Sequence, residues 1–395
     1  MPFTLRHHTC SVTGLLYWHD PLKVPSLISG DEDGLILVWD LLSRKPYCRY
    51  KCKGQIASLQ QLNSLLIATC KDHTLRIFNF PSAVVSTNRD VNAFPELNLV
   101  YEIPVNTLNF ANTALEKVGT NLYRLWCCNT QDSETIDIYE FDLRDSKSLK
   151  RIHRAVSLYE LISTLVNPSI MKFDKLGTVM KFIAYCGVIY VGFESGFVIG
   201  LYLKSELHIA YISSGHYPEP VLDFAAGENL GKVISSSTDS YLGLHSSNVG
   251  MISKENFTSD DIIIDDSVIH TERMNIPVAK VSHIQQIDNI LVTSSWSGKT
   301  ELFDLGGENV LAVILKERGQ VHVDDNPYGN ASLSKNSTKV KICSMVCLPK
   351  NDTVIPSCTS EGAARRWIKF CKEAWCLIGY EDGSILAREI TFTGA

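Results

Sequence analysis

Nowhere in the 395 residues does an uncharged apolar run approach the ~18 residues that a membrane-spanning helix needs. The stretch MPFTLRHHTC also lacks the charged-then-apolar order of a secretion signal. These two absences are read as a soluble intracellular chain. Positive charge is not in excess either: 37 Lys and Arg stand against 43 Asp and Glu, for a net charge of −6. No global basic field therefore recruits nucleic acid or an anionic membrane.

Catalytic signatures are missing too. There is no G-x-x-x-x-G-K-[ST] to cradle phosphates, no G-x-G-x-x-G opening a helix and no H-E-x-x-H for zinc. GFESG, residues 192 to 196, resembles a nucleophile elbow, but Glu194 stands where the serine would be needed. Cys48 with Cys52, and Cys343 with Cys347, do not have C-x-x-C spacing. Cys70, Cys127, Cys186, Cys343 and Cys376 sit in apolar strand-like runs, which suits reduced thiols packed as small hydrophobes. No cofactor, metal or catalytic residue is expected.

What the chain does contain is a repeat. SGDEDGLILVWDL, residues 29 to 41, is a short strand, an acidic turn with Gly34 and a second apolar strand. Related segments begin at Ile67, Trp126, Ile189, Val233, Leu291 and Leu377, each with hairpin grammar. Upstream of each lies another short apolar run, starting at Val12, Ile56, Val105, Thr178, Pro220, Val281 and Val340. The turn residues Asp33 and Asp72 are 39 apart, close to the ~40–45 of one propeller blade. One preceding strand, a hairpin and one following strand make four strands per unit, and seven units make a β-propeller.

LVWDL with the acidic turn before it resembles the WD-repeat family, whose blades carry a hydrogen-bonded His, Ser, Asp and Trp. The first unit offers His8, Ser29, Asp33 and Trp39 for that tetrad. The fifth unit keeps part of it in His216 and Asp239, with Leu244 or His245 where the Trp would stand. After SILAREI only TFTGA remains, whereas PFTLRHH precedes the first unit without a hairpin of its own. Residues 2 to 8 are therefore expected to be the outer strand of the last blade, closing the ring. The whole chain, 1–395, is read as one propeller domain, with surface insertions near 81–104, 144–175, 247–275 and 317–339.

Three insertions carry their own signals. SDDIIIDDS, residues 259 to 267, reads as an edge strand with charged gatekeepers rather than a calcium loop, since it lacks interleaved ligands and a Gly turn. RIHRAVSLYELISTLV, residues 151 to 166, has helix-like spacing and is left as an amphipathic insertion or a strand pair. RRWIKFCKEAW, residues 365 to 375, reads first as a covered loop of the last blade. As a functional surface it reads as a protein contact through Arg365, Arg366, Trp367 and Lys369, because Trp and Arg concentrate at interface hot spots.

Over nearly its whole length the chain also resembles the fungal ASTRA-associated protein 1 family, whose animal relatives are described as G-protein β-subunit-like. The resemblance rests on TLRHHTCSVTGLLYW, LISGDEDGLILVWDL, the basic RRWIKF and AWCLIGYEDGSILA in that order. It implies a non-enzymatic, nuclear scaffold of the ASTRA assembly, linked to chromatin regulation. The implied partners are Tel2 and Tti adaptors, RuvB-like ATPases and the phosphatidylinositol-3-kinase-related proteins whose maturation they assist. The competing reading is a substrate receptor for a ubiquitin ligase or another interaction platform, but no separate ligase-docking motif is found. A trimeric G-protein β subunit would need a coiled-coil helix before the first strand, and a channel-sited hydrolase would need a cluster of carboxylates or metal ligands.

Overall fold

Short alternating apolar runs broken by acidic or Gly-containing turns cannot continue as helices, and they pair with their neighbours as antiparallel strands. The computed structural model describes residues 2–18, 25–80, 95–108, 111–165, 175–247, 272–317, 320–324, 339–350 and 360–390. Within them seven antiparallel sheets follow one another as the blades of a seven-bladed β-propeller.

The chain opens with β1 (Phe3–Arg6). The first blade is then β2 (Val12–Trp18), β3 (Ser26–Asp31), β4 (Leu35–Asp40) and β5 (Lys45–Lys51). The second is β6 (Ile56–Leu62), β7 (Leu65–Cys70), β8 (Thr74–Asn79) and β9 (Asn98–Pro104). The third is β10 (Ala114–Lys117), β11 (Leu122–Cys128), β12 (Thr135–Asp142) and β13 (Lys150–Ser157), followed by the helix α1 (Leu158–Leu165). The fourth is β14 (Val179–Tyr185), β15 (Val188–Phe193), β16 (Val198–Leu203) and β17 (Leu207–Ser213). The fifth is β18 (Asp223–Gly227), β19 (Lys232–Ser236), β20 (Tyr241–Ser246) and β21 (Glu272–Asn275). The sixth is five-stranded: β22 (Val281–Ile287), β23 (Ile290–Ser295), β24 (Lys299–Asp304), β25 (Val310–Glu317) and β26 (Gln320–Asp324). The last comprises β27 (Ile342–Leu348), the helix α2 (Glu361–Cys371), β28 (Ala374–Tyr380) and β29 (Ser384–Ile390).

The last sheet has the order β1-β29-β28-β27, so the amino-terminal strand completes the carboxy-terminal blade as its spacing predicts. Phe3 pairs with Ala387 and Arg6 with Ser384. Alternation sends Phe3 and Leu5 inward and leaves Thr4 and Arg6 exposed. Covering β29 in this way removes an unpaired strand edge.

Two compact units divide the chain. One comprises Met1–Pro104 with Val313–Ala395, the other Val105–Ala312. In the first unit the last and first blades share a core of Leu5, Leu27, Trp39, Trp375 and Leu377, and the first and second share one of Ile28, Val38, Ile56, Ala68 and Phe78. In the second, Trp126, Ile138, Phe193 and Ile199 anchor one cluster, and Ile234, Leu242, Ile284 and Phe303 another. Close approach between blades leaves no room for a side chain at Gly30, where an added Cβ would lie 2.7 Å from the Cβ of Ile56. The turn glycine Gly34 has φ +86°, and a Cβ there would meet the Gly54 carbonyl oxygen at 2.5 Å.

Several sequence expectations are revised by these elements. The run from Val105 is not the first strand of the third blade; that strand is β10. Instead the Asn106 side chain donates to the Asn129 carbonyl at 2.6 Å and accepts from the Leu108 N–H at 3.0 Å, an Asx turn that stops extension. Stretches read as insertions supply the outer strands β9, β13 and β21. In β13, solvent on both faces removes the apolar alternation, and most of its residues are exposed. In the 151–166 stretch a single strand, β13, which pairs with β12 rather than within a strand pair of its own, is followed by α1, whose Leu158 and Ile162 are buried. Cys186 lies at the exposed β14–β15 turn with φ +50°, whereas Cys70, Cys127 and Cys376 are buried and free as expected. SDDIIIDDS lies outside the described residues.

Candidate functional site

The first blade holds a closed polar network, and its carboxylate is Asp31, not Asp33. Ser29 and Asp31 are two apart on β3, so strand alternation puts both on one face, while Asp33 is exposed in the turn. His8 Nδ1 lies 2.7 Å from Asp31 Oδ2, and His8 Nε2 lies 2.7 Å from Ser29 Oγ. Trp39 Nε1 donates to the same Ser29 oxygen at 2.7 Å, and the Leu35 N–H donates to Asp31 Oδ1 at 2.8 Å. A neutral imidazole protonated on Nδ1 satisfies every member, with the Ser29 hydroxyl donating to Nε2. Burial works against ionisation of Asp31. The hydrogen bonds from His8 and Leu35 outweigh it and hold the carboxyl below its usual range.

The fifth blade repeats this circuit with a different last member. His216 Nδ1 meets Asp239 Oδ2 at 2.7 Å and its Nε2 meets Ser235 Oγ at 2.7 Å. The place of the indole N–H is taken by His245, whose Nε2 is 2.6 Å from Ser235 Oγ and whose Nδ1 is 3.0 Å from the Tyr211 hydroxyl. Only a neutral, Nε2-protonated His245 can donate to the serine while accepting from the tyrosine.

Complete burial, with His216 beside it, pushes the His245 imidazole down to about 3. In the unfolded chain the ring titrates near 6.5. From about pH 6.5 down to about pH 3 the unfolded state therefore binds a proton that the folded state refuses. Stability from neutral His245 is complete above that window and lost as pH falls through it, at up to about 1.4 kcal/mol per pH unit. His245→Gln is expected to flatten the decline in urea stability between about pH 7 and about pH 5. Equal slopes for both proteins would exclude His245 as the source.

Other blades keep the turn with other chemistry. At the turn of the last blade the buried ammonium of Lys316, from β25 of the sixth, takes the bridging place, 2.5 Å from Asp382 Oδ2, bonded to Ser384 Oγ and 4.5 Å above the Tyr380 ring. In the second, Arg76 binds Asp72 and Glu102, each at 2.8 Å. Those charges line a cavity of about 450 Å³ but are already compensated within the fold. Among the described residues no three His, Cys, Asp or Glu side chains converge as a metal site, and no helix is long and apolar enough to cross a membrane.

The basic insertion forms a second constellation on α2, not the covered loop its composition suggests. Ser360 caps the helix by accepting from the Ala363 N–H, and Glu361 and Lys369 complement the dipole at its two ends. Helical spacing then separates the four residues singled out by the sequence. Trp367 is buried to 1% exposure and so offers no contact surface; Arg365, Arg366 and Lys369 face solvent. Arg365 is tied to Glu361 at 3.1 Å, one turn back on the exposed surface. Arg366 and Lys369 instead border a cleft of about 250 Å³ with Phe3, Arg44, Phe370 and Trp375. Phe370 stacks on Trp375 at 4.8 Å, Phe3 lies 5.5 Å from Trp375, and the Arg44 guanidinium sits 4.2 Å above Phe3. Phe3 and Arg44 could not be assigned to this cleft from the sequence, because it forms only when β1 crosses to the last blade.

Comparison with known proteins gives three results. The family model described as ASTRA-associated protein 1 matches residues 1–388. The chain is similar to the ASTRA-associated protein 1 of Kluyveromyces lactis, 70% identical over 99% of this chain and 98% of that one, and to that of Zygosaccharomyces rouxii, 40% identical over 97% of each. Among solved structures, Chaetomium thermophilum Raptor superposes with a TM-score of 0.57 at 11% identity, covering 98% of this chain and 29% of Raptor, a likeness of fold alone.

Proposed function

The chain belongs to the ASTRA-associated protein 1 family, and from that premise we propose that it is a non-enzymatic adaptor subunit of the nuclear ASTRA assembly. In this role it holds Tel2 and Tti adaptors, RuvB-like ATPases and phosphatidylinositol-3-kinase-related proteins in fixed geometry, in support of their maturation and of chromatin regulation. The observation that carries the reading is identity sustained over almost the entire chain, at 70% with a relative bearing that name. The propeller supports it: the His8 and His216 circuits are closed hydrogen-bonded networks, which leaves the surface loops and helices for partners.

Affinity purification of the tagged protein from nuclear extract, followed by mass spectrometry, tests the reading. The expected result is recovery of the adaptors and RuvB-like ATPases in proportion to the bait. Recovery of ubiquitin-ligase components in their place, or of no companion, would refute the assignment. Turnover of generic ester or phosphate substrates would refute the non-enzymatic part.

A further inference from the structure

We propose that the cleft between α2, the start of β1 and the β4–β5 turn is a docking site for an acidic peptide segment carrying one large apolar side chain. The proposal rests on the adaptor reading and assigns it a surface. Charge is the first argument. Arg44, Arg366 and Lys369 border the cleft with a single carboxylate, that of Glu389, on a chain whose net charge is −6. Such a local reversal of sign selects and steers an anionic partner. No ion pair with a described residue occupies Arg366 or Lys369, in contrast to the neighbouring Arg365.

The floor is the second argument. Phe3, Phe370 and Trp375 form a preordered aromatic set, with the Trp375 indole N–H already bound to the Phe370 carbonyl at 2.9 Å. What remains presented is chiefly the half-buried Phe370 ring, backed by the buried rings of Phe3 and Trp375, and such ring surface recognises an apolar anchor. A volume of about 250 Å³ is below the ~300–1,000 Å³ of small-molecule sites and suits one inserted side chain. Three cations are also fewer than the ~6–10 phosphate contacts of a typical nucleic-acid binder, and the negative chain around them repels a long polyanion.

The geometry of α2 makes the site testable without unfolding the protein. Arg366, Lys369 and Phe370 are at i, i+3 and i+4 and so share one helix face, and the two cations are exposed. The probe is a fluorescein-labelled peptide of sequence DEDGWEDE, titrated with the purified full chain and read by fluorescence anisotropy. Saturable binding is expected, weakened about tenfold or more by Arg366→Glu with Lys369→Glu and by about 0.5 M salt. A DEDGGEDE peptide, which keeps the charge and loses the anchor, should bind about tenfold more weakly. Melting curves establish that the double variant remains folded.

Absence of saturable binding up to about 1 mM peptide would overturn the proposal, as would undiminished binding in a folded double variant. Tighter binding of a single-stranded thymidine oligonucleotide would overturn it in favour of nucleic acid. The adaptor reading fails separately. Peptide binding without recovery of ASTRA companions would keep the cleft and reject the assembly, whereas recovered companions with no peptide binding would do the reverse.

Discussion

Deleting residues 1–9 is expected to lower the melting temperature by about 10 °C or more and to bring on aggregation. The deletion removes β1, whose Phe3 and Leu5 are buried in the core shared by the last and first blades. Each buried side chain of that size contributes about 1.5–3 kcal/mol. It also takes His8, leaving Ser29 and Asp31 buried without their ring partner, at about 1–3 kcal/mol per orphaned group. The exposed edge of β29 then presents Ile385 and Ala387, both buried in the intact sheet, to other chains. Circular dichroism melting with size-exclusion chromatography reads both effects, and Leu5→Asp should reproduce the first in milder form. Unchanged melting would mean that the amino-terminal strand does not close the last blade.

The second large effect concerns the polar circuit of the first blade. Trp39→Ala is expected to cost about 3–5 kcal/mol, because the indole is fully buried in the shared core and its vacated volume cannot collapse. Asp31→Ala should cost a comparable amount, since it strips a buried partner from His8 Nδ1 and an acceptor from the Leu35 N–H. Asp33→Ala is expected to stay within about 0.5 kcal/mol, as befits an exposed turn residue. Equilibrium urea unfolding of the three variants orders them. A reversed order for Asp31 and Asp33 would return the tetrad to the assignment suggested by the motif alone.

That pair shows how far the site could be read. The residue types of the circuit were legible, because a His before the first strand, a Ser in the hairpin and a Trp closing it answer to one another's donors and acceptors. Of the two carboxylates flanking Glu32 the motif suggested Asp33, whereas the folded β3 places Asp31 on the face of Ser29. In the fifth blade the candidate pair Leu244 and His245 was resolved by Ser235, which only the folded hairpin brings within 2.6 Å of His245. Lys316 had no signal at all, since its partners Asp382 and Ser384 are more than sixty residues away.

The basic insertion divides the same way. Its charge and aromatic content marked it as a surface worth testing, but they did not say which side chains face out. A capped helix decides that by its 3.6-residue turn, hiding Trp367 and presenting Arg366 and Lys369 beside Phe370.

By itself the sequence determined the repeat, the number of blades, the crossing of the first strand to the last blade and the membership of a family. All of these are written in local alternation and turn chemistry, or in identity sustained along the chain. Tertiary structure alone decided which carboxylate enters the circuit, which histidine replaces the indole, and that Phe3 and Arg44 meet α2 across a cleft. These depend on contacts between residues far apart in the chain, whose orientation is set by packing and burial rather than by any neighbour in sequence.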